Sequence, residues 1–299
     1  MWLYLGVISA CFLGLYDVSR KHALQNNAAM PVLFVSCLCS ALIAAAAVIL
    51  SRTSNDFMTA CALYIAPVSP VAHLHLFIKS VIVSASWIFA YFAMKHLPIS
   101  IASPVGATCP LWTVLAAIIF FGEHLTIAQY IGITLMLGSY FWLSAVGGKE
   151  GIKFHANIWI FFVLFSAVLG AASGIYDKYL IQTLLYPPLA VQAWFLIYLV
   201  PVLAVVMLFW FKNRASDSLF SWRWTIPLIA IMLIFADILY FRAISHPGSL
   251  ISILSTVRAS CVLISFLIGG IIFSEHRLKS KALAVGGIII GTCCMFFPA

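Results

Sequence analysis

Charge is what this sequence has least of. Only 8% of its 299 residues are Asp, Glu, Lys or Arg, and just eight residues are acidic. Soluble domains run at about 25% charged, so a water-soluble globule is excluded, and with it a cytosolic enzyme and a nucleic-acid reader. The eight cysteines (Cys11, Cys37, Cys39, Cys61, Cys109, Cys261, Cys293, Cys294) contain no CxxC pair and nearly all lie in apolar runs. They read as small buried hydrophobes, not as a disulfide scaffold. His73-x-His75 is too isolated to argue for a metal. Zinc signatures, phosphate loops, nucleophile elbows and paired acidic motifs of the membrane prenyltransferase type are all missing. No cofactor is expected, and a gradient or an exchange must drive any transport. The opening Met-Trp-Leu-Tyr lacks the basic segment of a signal peptide, so its apolar run reads as a permanent span.

Apolar residues fill the space that charge leaves. They make up 64% of the chain, with a mean hydropathy of +1.12. A helix crosses the ~30 Å hydrocarbon core with roughly 20 such residues. Apolar runs fall near 2–22, 31–50, 75–96, 99–121, 126–146, 157–179, 188–211, 224–245, 249–273 and 279–297. The chain therefore reads as an all-α membrane protein of ten transmembrane helices. Most connections are short, as between antiparallel neighbours. The stretch 51–74, with Pro67 and Pro70, is too broken to span and is placed at the interface.

Three short motifs recur in the same order. Gly14-Leu15-Tyr16-Asp17 in the first run matches Gly174-Ile175-Tyr176-Asp177 in the sixth. Tyr91-Phe92 … Pro98 matches Tyr240-Phe241 … Pro247, and Phe121-Gly122-Glu123-His124 matches Phe273-Ser274-Glu275-His276. The reading is a duplication, 1–146 and 157–299, joined by a loop at 147–156. Five spans per half is an odd number, so the second half enters the membrane in the opposite sense. Such inverted repeats enclose a substrate site near the midplane in many secondary transporters.

Ten spans in a 5+5 duplication, with a Gly-Glu step at 122–123 and its counterpart at 274–275, resemble the drug/metabolite transporter superfamily, most closely the EamA family. That resemblance implies helices around a central cavity and the export of small, chemically diverse metabolites. Pro110 matches the family's proline in span 4, whereas Val262 and Ser274 depart from the pattern in the second half.

Charges inside spans cost at least ~2.5–3.5 kcal/mol on insertion scales, so each needs a reason. Asp17 has Arg20 and Lys21 one turn away, and Asp177 has Lys178 beside it. In the sharper reading Tyr16-Asp17 and Tyr176-Asp177 line the two mouths of one pathway, gating it or carrying a coupling proton. Asp237 and Arg258 align with Ile88 and Gly106, which are uncharged. Antiparallel neighbours would bring them to one depth, ~12 Å in. An ion pair is expected there, either as a clamp between helices or with Arg258 receiving a substrate carboxylate or phosphate.

Other polar and aromatic positions allow two readings each. Ser249, Ser252, Ser255 and Thr256 mark one face of span 9 for packing or for substrate. Trp87 and Tyr91, at i and i+4, make an aromatic wall or pack, and Tyr240 joins them. Pro104 and Pro110 should break span 4 where freed carbonyls line a cavity. Gly170-x-x-x-Gly174 and Gly287-x-x-x-Gly291 read as close-packing faces, and Glu123 and Glu275 as caps or headgroup-level residues.

These features predict a secondary transporter, exporter or exchanger, of a small organic metabolite in the bacterial inner membrane. Membrane lipids surround it, and it is a monomer or homodimer with no nucleic-acid partner. A flippase for a lipid-linked cargo of the same fold, or a membrane-embedded enzyme, is the alternative. The excess of Lys and Arg on odd-numbered connections places both termini outside, while the family resemblance implies termini inside.

Overall fold

The structure, a computed structural model, describes residues 1–106, 108–148, 157–213, 219–272 and 278–294. The motif at 273–276, including Glu275, lies outside them. Every regular element among the described residues is helical. Among the described residues, six helical segments are long and apolar enough to cross a membrane: Trp2–Leu24, Ala29–Thr53, Pro70–His96, Ile158–Thr183, Pro188–Lys212 and Thr225–Ile244. The first three are α1, α2 and α4; a six-residue α3 (Asn55–Ala60) lies in the stretch judged too broken to span. The others contain α8 (Ile158–Lys178, continued by a π-helical stretch to Thr183), α9 (Pro188–Asn213) and α10 (Thr225–Ile244). Ser69 caps α4 through the amide of Ala72, with Pro70 in its first turn, and Asn157 caps α8 through the amide of Trp159.

The expected spans 4 and 9 are not continuous. Span 4 consists of α5 (Ile99–Gly106) and α6 (Cys109–Phe121), and span 9 of α11 (Ile251–Ala259) and α12 (Cys261–Ile272). Pro110, in the first turn of α6, accounts for one break because it can donate no backbone hydrogen bond. Span 9 has no proline there. Instead Ser260 turns its hydroxyl back to the Val257 carbonyl at 2.7 Å, as Thr108 does to Val105 at 2.8 Å. A side chain that takes the carbonyl of residue i−3 competes with the helical ladder. Thr108 and Ser260 stand 152 positions apart, the same interval as Cys109 and Cys261 just after them.

Helix α6 ends on Gly122, whose φ of 59° is left-handed and suits glycine. A reciprocal pair of bonds between Thr126 and Gln129 then starts α7 (Ile127–Gly148). The last described helix is α13 (Leu278–Cys294). Helix α1 lies along α10, α4 along α8, α2 along α9, and α7 along α13; α1 also meets α12, and α6 meets α8. Gly287 and Gly291 do mark a close approach: a Cβ on them would come within 2.1 Å of Ser139 Oγ and 2.5 Å of Met136. Gly14 is tighter than the motif suggested, with Ile264 at 2.5 Å and the Cys261 carbonyl at 2.9 Å.

Side-chain bonds distinguish two ends of the bundle. At the first, Lys21 near the end of α1 donates to the Met94 and Leu97 carbonyls at 2.9 and 2.5 Å. Arg223 donates to the His22 carbonyl at 2.6 Å, and His96 stacks on Trp159 with centroids 3.7 Å apart. At the second end, Gln182 reaches the Ile244 carbonyl at 2.8 Å and Ser249 Oγ at 2.9 Å.

Candidate functional site

Between these ends lies a cavity of about 340 Å³, walled by α1, α4, α5, α6, α8, α9, α10, α11 and α12. Three cations and three anions line it: Arg20, Lys79 and Arg258 against Asp17, Asp177 and Asp237. Each is paired. Arg20 Nη2 donates to Asp17 Oδ1 at 2.7 Å, Arg258 Nη2 to Asp237 Oδ1 at 2.8 Å, and Lys79 Nζ to Asp177 Oδ1. The Lys79–Asp177 pair is sealed, its side chains 2% and 5% exposed, whereas Arg258 and Asp237 retain 18% and 12%. Asp237 lies within electrostatic reach of Lys79, so these two pairs form one four-charge group beside Tyr240.

Aromatic rings hold the cations in place. The Arg258 guanidinium lies 3.9 Å from the Tyr240 ring centre, and Lys79 lies over Phe195 and Phe241 at 4.6 and 5.3 Å. Such contacts gain strength where water is excluded. Arg20 sits 5.1 Å from the Tyr16 ring and 5.4 Å from that of Tyr91. Thus Tyr91 and Tyr240, which occupy equivalent motif positions, each face an arginine.

The structure gathers most of the residues singled out in the sequence, but not all. Tyr16, Asp17, Trp87, Asp177, Asp237, Tyr240, Ser255 and Arg258 line the cavity. Tyr91 does not: it is 1% exposed, behind Arg20, with its hydroxyl 3.4 Å from Ser36 Oγ. Tyr176 also stands off the wall, donating to the His75 carbonyl at 3.4 Å and stacking on Tyr179. Of the span-9 stripe only Ser255 faces inward, because Ser249 and Thr256 bond back to their own chain and Ser252 to Glu123. Gly170 and Gly174 were read as packing positions, yet both line the cavity. A Cβ on Gly174 would make only ordinary contact, 3.5 Å from the Tyr240 hydroxyl. Their small size widens the cavity at this wall.

Lysine 79 was missed as a cavity residue. Its signal was a Lys inside an apolar run, but its partner lies 98 residues away. Lys178, which was read as the neighbour holding Asp177, pairs instead with Glu123 at 2.5 Å. Glu123 is indeed a cap, though of a helix far along the chain. Its carboxylate accepts from the Ile251 and Ser252 amides at 2.8 and 3.2 Å and from the Ser252 hydroxyl. A carboxylate at a helix N-terminus satisfies unpaired amides and complements the helix dipole. One side chain therefore ties the end of α6, the end of α8 and the start of α11. His73 and His75 bond to Tyr198 and Tyr186 at 2.9 and 3.0 Å, and no group able to hold a metal occurs among the described residues.

Long apolar helices surrounding a cavity with paired charges define a multi-pass membrane protein, the class to which this chain is assigned. Residues 1–145 match the model of the EamA-like transporter family. The fold extends beyond the matched part. A solved crystal structure superimposes with a TM-score of 0.71 at 17% identity, over 100% of this chain and 99% of the other. A search of curated proteins gives no match.

Proposed function

We propose that the protein is a secondary active transporter moving a small organic metabolite across the bacterial inner membrane by alternating access, as an exporter or exchanger. We further infer that its ten spans form two inverted repeats, 1–146 and 157–299. The observation that carries the reading is the charged cavity enclosed by two helices broken at equivalent positions. The helix pairings add support, because they interchange when the halves are swapped. The contact of α1 with α10 (spans 1 and 8) becomes that of α8 with α4 (spans 6 and 3), while α2–α9 and α7–α13 map onto themselves. Irregular backbone at membrane depth is tolerated where it lines a cavity, and both breaks do so: Gly106 and Cys109 flank one, Ala259 and Cys261 the other.

In this mechanism Arg258 and Asp237 engage the cargo, while Trp87 and Tyr240 shape its bed. Asp17 and Asp177 gate the first and second ends, and Glu123 with Lys178 latches the second end shut. The latch is coupled to the cargo site by two rigid elements. Lys178 follows Asp177 on α8, and α11 carries Glu123's partners at its start and Arg258 near its end. Opening that end requires the Glu123 contacts to break.

Cys109 and Cys261 provide native reporters. In a variant keeping only these two thiols, a membrane-impermeant maleimide should label from either side of oriented vesicles, as the cavity opens to each in turn. Labelling from one side alone under all conditions rejects alternating access. For gating with proton coupling, transport by Asp17→Asn or Asp177→Asn should lose its dependence on external pH in at least one case. Unchanged profiles in both would remove the coupling role.

A further inference from the structure

The outer surface of the bundle carries a groove that the central cavity does not account for. We infer that an anionic phospholipid binds at the first end, with an acyl chain seated in the groove between α2, α4 and α9 and its phosphate held by Lys95 and Lys212. The inference uses no cavity residue and stands apart from the transport reading.

The groove is a space of about 260 Å³, lined by Met30 near the start of α2, Ile88 and Phe92 toward the end of α4, and Val206, Phe209 and Trp210 toward the end of α9. None of these residues carries a charge, so the lining suits a hydrocarbon chain. It opens outward: Phe209 is 65% exposed, and no groove residue reaches the central cavity. On α4 the division falls between neighbours, with Trp87 lining the cavity and Ile88 the groove.

The spacing of the sequence puts a cation above the groove on both of its long walls. Helices α4 and α9 pack together, and both run toward the first end. Residues three or four apart share a helix face, so Lys95 continues the stripe of Ile88 and Phe92, and Lys212 that of Val206 and Phe209. Each lysine stands three residues, or ~4.5 Å, beyond the phenylalanine of its own wall. Neither ammonium has a partner among the described residues, whereas Lys21 and Arg223 at the same end are spent on carbonyls. The last turns of α1, α4 and α9 and the first turns of α2, α8 and α10 contain no acidic residue. Two unpaired cations with no acid beside them favour a headgroup of net negative charge over a zwitterionic one, whose own ammonium they repel. Depth agrees as well. Trp210 in the groove shares this end with Trp159, Trp222 and Trp224, and tryptophan favours the level of the headgroups. The groove therefore begins just below that level, where an acyl chain leaves its glycerol, and the lysine stems carry the ammoniums up to the phosphate.

Thermal-shift titration of the full-length purified protein in detergent tests the inference, with dioctanoyl phosphatidylglycerol, dioctanoyl phosphatidylcholine and glycerol 1-phosphate as probes. Phosphatidylglycerol should stabilise the protein at concentrations at least roughly tenfold below those of phosphatidylcholine, since each lysine near an anionic headgroup is worth about fivefold. Glycerol 1-phosphate, which has the charge without the chains, should give no shift. In the double variant Lys95→Gln with Lys212→Gln the two lipids should become equivalent. Val206→Phe fills the groove and keeps both lysines, and it too should lose the preference for phosphatidylglycerol. Both variants should melt like the parent protein without lipid, and because they change different residues, either one decides. Equal responses of the parent protein to the two lipids overturn the inference, as does a glycerol 1-phosphate shift matching that of phosphatidylglycerol. A double variant that keeps its preference removes the lysines from the site. Preference retained by Val206→Phe means attraction to a basic surface with no seat for the chain, and overturns the inference equally.

Discussion

Arg258→Ala should abolish transport, and the way it does so separates a cargo site from a structural clamp. Removing the guanidinium strands Asp237 among α8, α10 and α11, a loss on the order of 3–5 kcal/mol when a buried pair is broken on one side. A fall in melting temperature would follow from either role. The double variant Asp237→Asn with Arg258→Gln leaves no lone charge, so it should recover stability and membrane insertion. If the pair is only a clamp, transport recovers too. If it binds cargo, transport in proteoliposomes stays at least roughly a hundredfold below the parent protein. Recovery of transport by the double variant would refute the assignment of Arg258 and Asp237.

Glu123→Gln should have the second large effect, at a residue outside the cavity lining. Glutamine keeps the size of the side chain and one carbonyl oxygen, able to accept from the Ile251 or the Ser252 amide, each of which the carboxylate serves with a separate oxygen. It loses the charge that holds Lys178, 2.5 Å away. With the latch weakened, the population open at the second end rises. Maleimide labelling of Cys109 and Cys261 from that side should speed up at least roughly tenfold, the equivalent of about 1.4 kcal/mol. Transport falls because the cavity no longer closes there. A purely structural cap would lower the melting temperature without changing the side of labelling, and that result would rule out a gating role.

These residues also show what the sequence could and could not disclose. Asp237 and Arg258 were legible as a pair because a short link between antiparallel helices fixes their relative depth, and local geometry sufficed. The break in span 4 was equally legible through Pro110, whereas Pro104 lies within α5. Its counterpart in span 9 was not, because a serine hydroxyl bonding back to Val257 leaves no punctuation that a reader would separate from an ordinary helix. Lys79 and the partners of Glu123 escaped for a different reason. The bonds reach across 98 residues for Lys79 and 55, 128 and 129 for Glu123, and only the packed bundle closes them. Gly170-x-x-x-Gly174 fits a packing motif and a cavity floor equally well, and the difference depends on whether a neighbouring helix presses against it. Tyr91 was assigned to the wall by its i, i+4 relation to Trp87. Arg20 occupies the space in front of it.

The pairing of Lys79 with Asp177, and of Glu123 with Lys178, has a consequence for biosynthesis. Each bond joins a residue of the earlier-made half to one that leaves the ribosome later. Helix α4 must therefore enter the bilayer with an unescorted lysine, nine residues or ~14 Å from its start. Its long stem can hold the ammonium near the headgroups meanwhile. Only when α8 arrives can that ammonium be drawn inward. Membrane insertion of this chain is thus left unfinished at its midpoint, and nascent chains stopped before residue 177 should be the ones that quality-control proteases remove.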